Sequence, residues 1–128
     1  MTSVRVKSVD PAKVRRSVDE YARRLFAEHP EVEEVVVFGS FAKGTYAPGS
    51  DVDILIVLSD SARPFRDRIP ELLPGAFPVG LDLFPYTRAE IASRLSPGFL
   101  AAVEASDWRY LRPPREALSH EIWPMDCG

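Results

Sequence analysis

Hydrophobic and polar positions along this chain follow two periods. Across residues 14–26, Val14, Val18, Tyr21, Ala22, Leu25 and Phe26 recur at helical spacing, so one face of a helix is core. Asp10 followed by Pro11 supplies an N-cap and a proline in the first turn. His29-Pro30 ends the helix, and His29 reads as a charge at its C-terminus rather than a metal ligand. Arg15, Arg16, Arg23 and Arg24 lie mainly off the apolar stripe and read as a solvated face, with an acidic partner or RNA as the functional alternative. The pattern then changes to short β-branched runs. Val32–Phe38 is a first strand, Ser40–Lys43 a short helix, residues 45–50 a loop and residues 51–58 a second strand. Residues 59–78 are rich in arginine and proline; Ile69, Leu72 and Leu73 mark a short interrupted helix, with Arg63, Arg66 and Arg68 exposed and nucleotide contact their minority reading. Residues 79–86 form a third strand, with Pro85 at its exposed end. Thr87 and Glu90 make a capping box for a helix reaching about Leu95. Pro97-Gly98 breaks it, residues 99–105 form another short helix, and Trp108–Leu111 adds an edge strand.

These elements predict an α/β fold: a small mixed β-sheet with helices mainly on one face. Strands with β-branched runs must be covered by helices where they are apolar. The predicted domain covers residues 1–114, with Pro113-Pro114 ending the compact part. Residues 115–128 are a C-terminal tail carrying Ile122, Trp123 and Met125, which either folds back on the domain or meets a partner. The lead segment has alternating Val4, Val6 and Val9.

Composition adds limits. With 128 residues the chain is one domain with a real core. No apolar run approaches 18 residues and no signal peptide is visible, so a cytoplasmic protein is expected, with no membrane association. Cys127 is the single cysteine, so no internal disulfide forms. A net charge of −3 does not announce a nucleic-acid binder. Asn and Gln are absent, prolines number 12, and Lys7, Lys13 and Lys43 are the only lysines among 16 basic residues. A thermophilic source and a GC-rich genome explain this bias equally.

Folding alone does not explain Asp51 and Asp53. Residues i and i+2 of a strand share a face, roughly 6.6–6.8 Å apart. Two carboxylates heading a buried strand repel each other and resist desolvation. A divalent cation relieves both problems, and hard oxygen ligands suit magnesium. A solvated strand entrance is the plain alternative for D-x-D by itself. The Gly39-Ser40 turn shifts the balance, because backbone N–H groups and a hydroxyl between a strand and a helix cradle phosphate. Lys43 is either a further charge near that phosphate or a surface lysine.

Gly39-Ser40, ten intervening residues, then Asp51-x-Asp53 resembles the signature of the nucleotidyltransferase superfamily related to DNA polymerase β. The short length resembles its minimal nucleotidyltransferases (MNT-type). The likeness is densest over residues 38–58 and extends more weakly to about residue 111. It implies a polymerase β palm-like fold and a third carboxylate from a later strand, here Asp82 within Val79-Gly80-Leu81-Asp82-Leu83-Phe84. It further implies Mg-dependent transfer of an NMP, AMP from ATP or another NTP, to a hydroxyl acceptor. Asp51, Asp53 and Asp82 would be the catalytic residues and would hold two Mg²⁺ ions, with Mn²⁺ as substitute. Gly39, Ser40 and Lys43 would bind the nucleotide. Such proteins often pair with a small helical HEPN partner as the antitoxin of a toxin–antitoxin system. A homodimer acting on a small, antibiotic-like molecule is an alternative, and a non-catalytic nucleotide- or partner-binding module is another.

Overall fold

A computed structural model describes residues 10–114. In chain order it contains α1 (Pro11–Glu28), β1 (Val32–Phe38), α2 (Ser40–Lys43), β2 (Val52–Leu58), α3 (Phe65–Leu72), β3 (Leu81–Thr87), α4 (Arg88–Arg94), α5 (Pro97–Glu104) and β4 (Trp108–Leu111). Val4, Val6, Val9, Ile122, Trp123, Met125 and Cys127 lie outside the described residues, as does the predicted tail. No helix among the described residues is long and apolar enough to cross a membrane.

The four strands form one mixed sheet in the order β3-β2-β1-β4. β1 is antiparallel to both β2 and β4, whereas β2 and β3 run parallel. A parallel pair needs a crossover, and α3 lies in the connection between β2 and β3. Alternation along β2 divides its side chains between two layers. Val52, Ile54, Ile56 and Leu58 join a large cluster with α1, Phe41 of α2 and Leu72 of α3. Leu55 and Val57 join a smaller cluster with Val36, Phe38 and Val103, against which Ile91 and Phe99 pack. Three helices therefore cover one face, and α4 and α5 cover part of the other.

Helix α1 follows the sequence pattern closely. The Asp10 carboxylate accepts from the Ala12 and Lys13 amides at 3.1 and 3.3 Å. Its buried residues are Val14, Val18, Tyr21, Ala22, Leu25 and Phe26. Burying a Val, Leu or Phe side chain is worth about 1.5–3 kcal/mol each, which is what seats α1 on the sheet.

Several expectations need correction. The second strand begins at Val52 rather than at residue 51, and the third runs Leu81–Thr87 rather than 79–86. Pro85 is not at an exposed end; it is fully buried. It is tolerated because β3 is an edge strand, where alternate N–H groups face away from the ladder. Arg68 is not on the surface either, retaining 6% of its exposure. Its guanidinium donates to the Arg63 carbonyl at 2.9 Å and the Pro85 carbonyl at 2.8 Å. It also grips both Glu90 oxygens, at 2.7 and 2.9 Å. Glu90 is held in turn by the capping box, accepting from the Thr87 amide at 2.9 Å while the Thr87 hydroxyl accepts from the Glu90 amide at 3.2 Å. A buried arginine needs a bidentate carboxylate partner, and the cap of α4 provides one. This pair ties α3 to the junction of β3 and α4.

Candidate active site

β1 carries the chain to Gly39, where the backbone adopts φ 81°, ψ −153°. This region is essentially reserved for glycine. A Cβ at Gly39 would also overlap the Asp53 carboxylate. The residue is thus glycine for two independent reasons, backbone conformation and close approach. Ser40 opens α2, half-buried, and Lys43 ends it, exposed.

β2 brings in the carboxylates. Asp53 stands opposite Phe38 across the antiparallel pair and opposite Asp82 across the parallel pair. Asp51 lies one residue before the strand, on the other side of the buried Val52. Asp51 and Asp82 are exposed and Asp53 is half-buried. The Asp53 carboxyl is pushed above its ordinary value, first by burial. The charge of Asp82, a hydrogen bond to Asp82 and the charge of Asp51 push in the same direction. The three aspartates singled out in the sequence therefore share one electrostatic site, although Asp82 is far from the others along the chain.

Gly80 belongs to this site and was not foreseen. A Cβ there would overlap the Asp51 carboxylate, and the Gly80 carbonyl accepts from the Val52 amide at 2.9 Å. A side chain at Gly80 would displace Asp51. The signal was present in Val79-Gly80-Leu81-Asp82: an isolated glycine at a strand marks a bulge or a close approach.

The donor set fits a hard divalent cation chemically. It consists of carboxylate oxygens only, and a positive charge among them would offset the repulsion that adds to burial in raising the Asp53 carboxyl. Among the described residues, however, no group of three or more His, Cys, Asp or Glu side chains is drawn into a metal-gripping cluster. The close contact is the Asp53–Asp82 pair, with Asp51 acting on it through its charge.

Comparison with known proteins agrees with this geometry. The sequence profile of the nucleotidyltransferase domain family matches residues 17–108. That span contains Gly39, Ser40, Lys43, Asp51, Asp53 and Asp82. A bifunctional uridylyltransferase/uridylyl-removing enzyme of Burkholderia thailandensis is 38% identical over 71 residues, covering 53% of this chain and 8% of that protein. Its counterpart in Burkholderia mallei is 35% identical over 71 residues, with the same coverage. The chain thus matches only a small part of the length of these curated relatives. Among solved structures, a Sulfolobus solfataricus protein provisionally assigned as a nucleotidyltransferase superposes with a TM-score of 0.54 at 23% identity. The superposition covers 83% of this chain and 85% of that one, and at this low identity it bears on the fold alone. With the matched profile extending from within α1 to the first residue of β4, this chain belongs to the nucleotidyltransferase domain family.

Proposed function

We propose that the chain moves an NMP, AMP by preference, from a nucleoside triphosphate to a hydroxyl acceptor. The observation that carries this reading is the parallel register setting Asp82 beside Asp53, with Gly39 packed directly against the Asp53 carboxylate. One glycine thus joins a phosphate-type turn to an acidic site.

In this reading Asp51, Asp53 and Asp82 hold divalent magnesium, with manganese as a substitute. When bound, the metal supplies charge neutralisation at the α-phosphate and a lowered pKa for the acceptor hydroxyl. The Gly39 backbone, the Ser40 hydroxyl and Lys43 hold the β- and γ-phosphates, leaving the α-phosphorus over the acidic face. The acceptor oxygen forms the new bond to that phosphorus, the bond to the bridging oxygen breaks, and pyrophosphate departs. In this reading the proton of the acceptor hydroxyl passes to the Asp82 carboxylate; the exposure of Asp82 on the edge strand β3 supports that choice. Ser40 is a positioning group, since no histidine base lies in α2 or in either strand beside it.

The acceptor we propose is a hydroxyl of a small helical partner protein, with this chain as the antitoxin of a HEPN-type pair, as the family resemblance suggests. The curated relatives' names favour a second reading for the donor, UTP in place of ATP. One experiment tests donor and acceptor together. The chain is co-expressed with its genomic neighbour and incubated with Mg²⁺ and each labelled NTP, and the products are weighed intact. AMP-sized additions on the partner are expected, and they should vanish with Asp53→Asn while the complex still forms. UMP-sized additions select the uridylyl reading. Additions that persist in Asp53→Asn remove this site from the reaction.

A further inference from the structure

Beside the Gly39 turn lies a cleft of about 240 Å³, bordered by Gly39, Lys43, Arg15, Ser106, Asp107 and Trp108 among others. Sites for whole small molecules run to roughly 300–1,000 Å³, so this cleft suits part of a ligand. Its charged lining consists of two cations, Arg15 and Lys43, and one carboxylate, Asp107.

Arg15 is held in place. Its guanidinium carbon sits 4.3 Å from the centroid of the Trp108 ring, within cation–π range. Trp108 is itself anchored: its indole N–H donates to the Tyr110 hydroxyl at 2.9 Å and its amide donates to the Ser106 hydroxyl at 3.0 Å. The buried Ser106 hydroxyl donates to the Val37 carbonyl at 2.5 Å. A chain of hydrogen bonds thus runs from β1 to the ring on which Arg15 rests. Many arginines here are neutralised: Arg63, Arg68, Arg88, Arg94 and Arg109 all pair with glutamates. Among the described residues, neither Arg15 nor Lys43 joins an ion pair. A planar cation already rested on a ring loses little freedom on gripping a phosphate, and the nearest acidic group on its own helix, Asp19, is engaged by the Tyr110 hydroxyl.

We infer that Arg15, clamped by Trp108 across the cleft from Lys43, is a further positioning residue for the polyphosphate tail that the reading above seats at the Gly39 turn. The inference rests on the nucleotidyl-transfer reading above. Gly39 borders the cleft and also touches Asp53, so the cleft begins one residue from the acidic site. A polyphosphate tail extending into it would leave three repelling carboxylates and enter a net positive lining. A nucleobase is disfavoured, because the Trp108 ring already carries the Arg15 guanidinium.

The test compares three probes by calorimetry in Mg²⁺, using the full chain: a nonhydrolysable ATP analogue, AMP and inorganic tripolyphosphate. Arg15→Ala should weaken the analogue and tripolyphosphate about tenfold or more, the lower range for a hydrogen bond to a charged group. It should leave AMP affinity within about twofold, since only the tail is involved. Trp108→Leu should act in the same direction through loss of the clamp, and Asp107→Asn should tighten both polyphosphate probes. Arg15 is exposed, so its variant should melt near the wild type. Lys43→Ala, also exposed, provides a second variant with the same expected pattern. Wild-type-like binding of the analogue by Arg15→Ala overturns the role of Arg15, whatever Lys43→Ala shows, and leaves the nucleotide reading to the Asp53→Asn test. Parallel losses for AMP and the analogue overturn that role too, by placing the nucleoside there. A wild-type chain that takes tripolyphosphate in an Arg15-dependent way yet ignores the analogue keeps the anion cleft and overturns the nucleotide reading.

Discussion

Asp53 is the residue on which opposing demands meet. Burial and two neighbouring carboxylates disfavour its charge, so its folded pKa lies above the ordinary 3.8. The native state then binds the proton more tightly than the unfolded chain, and stability falls as pH rises through the folded value. Asp53→Asn should therefore raise the melting temperature at pH 7 in chelator, while abolishing transfer. The gain should disappear below about pH 3.8, where the native and unfolded chains both carry the proton. Melts in chelator at both pH values check this, and a variant less stable than wild type at pH 7 would show that Asp53 is held by favourable contacts instead. Gly39 makes the opposite kind of demand. Gly39→Ala places a side chain at positive φ and against the Asp53 carboxylate. A cost of about 1–3 kcal/mol is expected for the backbone strain alone, with nucleotide affinity lost as the carboxylate is displaced. Denaturant titration and calorimetry read the two effects separately.

Among the elements, the joint between α3, β3 and α4 depends on one ion pair. Arg68 and the Thr87 amide hold the Glu90 carboxyl at about 2, well below its ordinary 4.5. For a depressed carboxyl the stabilisation is fully present above the unfolded value and is lost as pH falls through the folded one. The contribution should therefore persist at neutral pH and decay between about 4.5 and about 2. Arg68→Ala leaves Glu90 without its partner and the Pro85 carbonyl without its donor, and should cost about 3 kcal/mol, the low end for breaking a buried pair. Glu90→Gln should lose less and should flatten the acid limb of the stability curve. Chemical denaturation from pH 7 to pH 2 checks both, and an Arg68→Ala chain as stable as wild type would demote the pair to a surface ornament. The joint matters for function because β3 carries Asp82 at its head while Arg68 and Glu90 secure its tail.

At the scale of the whole molecule, one sheet is shared by two apolar layers. Val36, Leu55 and Val57 face one side, and Val35, Val37, Ile54 and Ile56 face the other. Neither layer can be dismantled without opening the same strand pairs. The chain should therefore unfold in one cooperative step, with far-UV and near-UV transitions superimposed in denaturant. Separate midpoints would mean that the α4–α5 layer opens on its own. The acidic site lies at one end of this sheet, where β1 runs out into Gly39 and both β2 and β3 begin. It is thus anchored on the two central strands β1 and β2 and on the edge strand β3, while Asp51 and Asp82 remain exposed for an acceptor to approach.

Local chemistry determined much of this protein. The six buried residues of α1, the bounds of β1, α2 and β4, and the Thr87–Glu90 capping box follow from periodicity and caps that act within about four residues. Gly39-Ser40 and Asp51-x-Asp53 were likewise visible, because a turn and a strand entrance are short-range features. Tertiary structure decided what lies beside what. The parallel register of β2 and β3 sets Asp82 against Asp53, and no spacing along the chain expresses a register. The close approach of Gly80 to Asp51 depends on the same pairing. Arg68 reads as one more surface arginine until Glu90 arrives from another element to neutralise it. Pro85 reads as an exposed strand end until it is covered. Arg15 acquires its platform only when β4 brings Trp108 to α1. In each case the deciding interaction joins residues distant in sequence, and its energy depends on burial and on charges that arrive only with the fold.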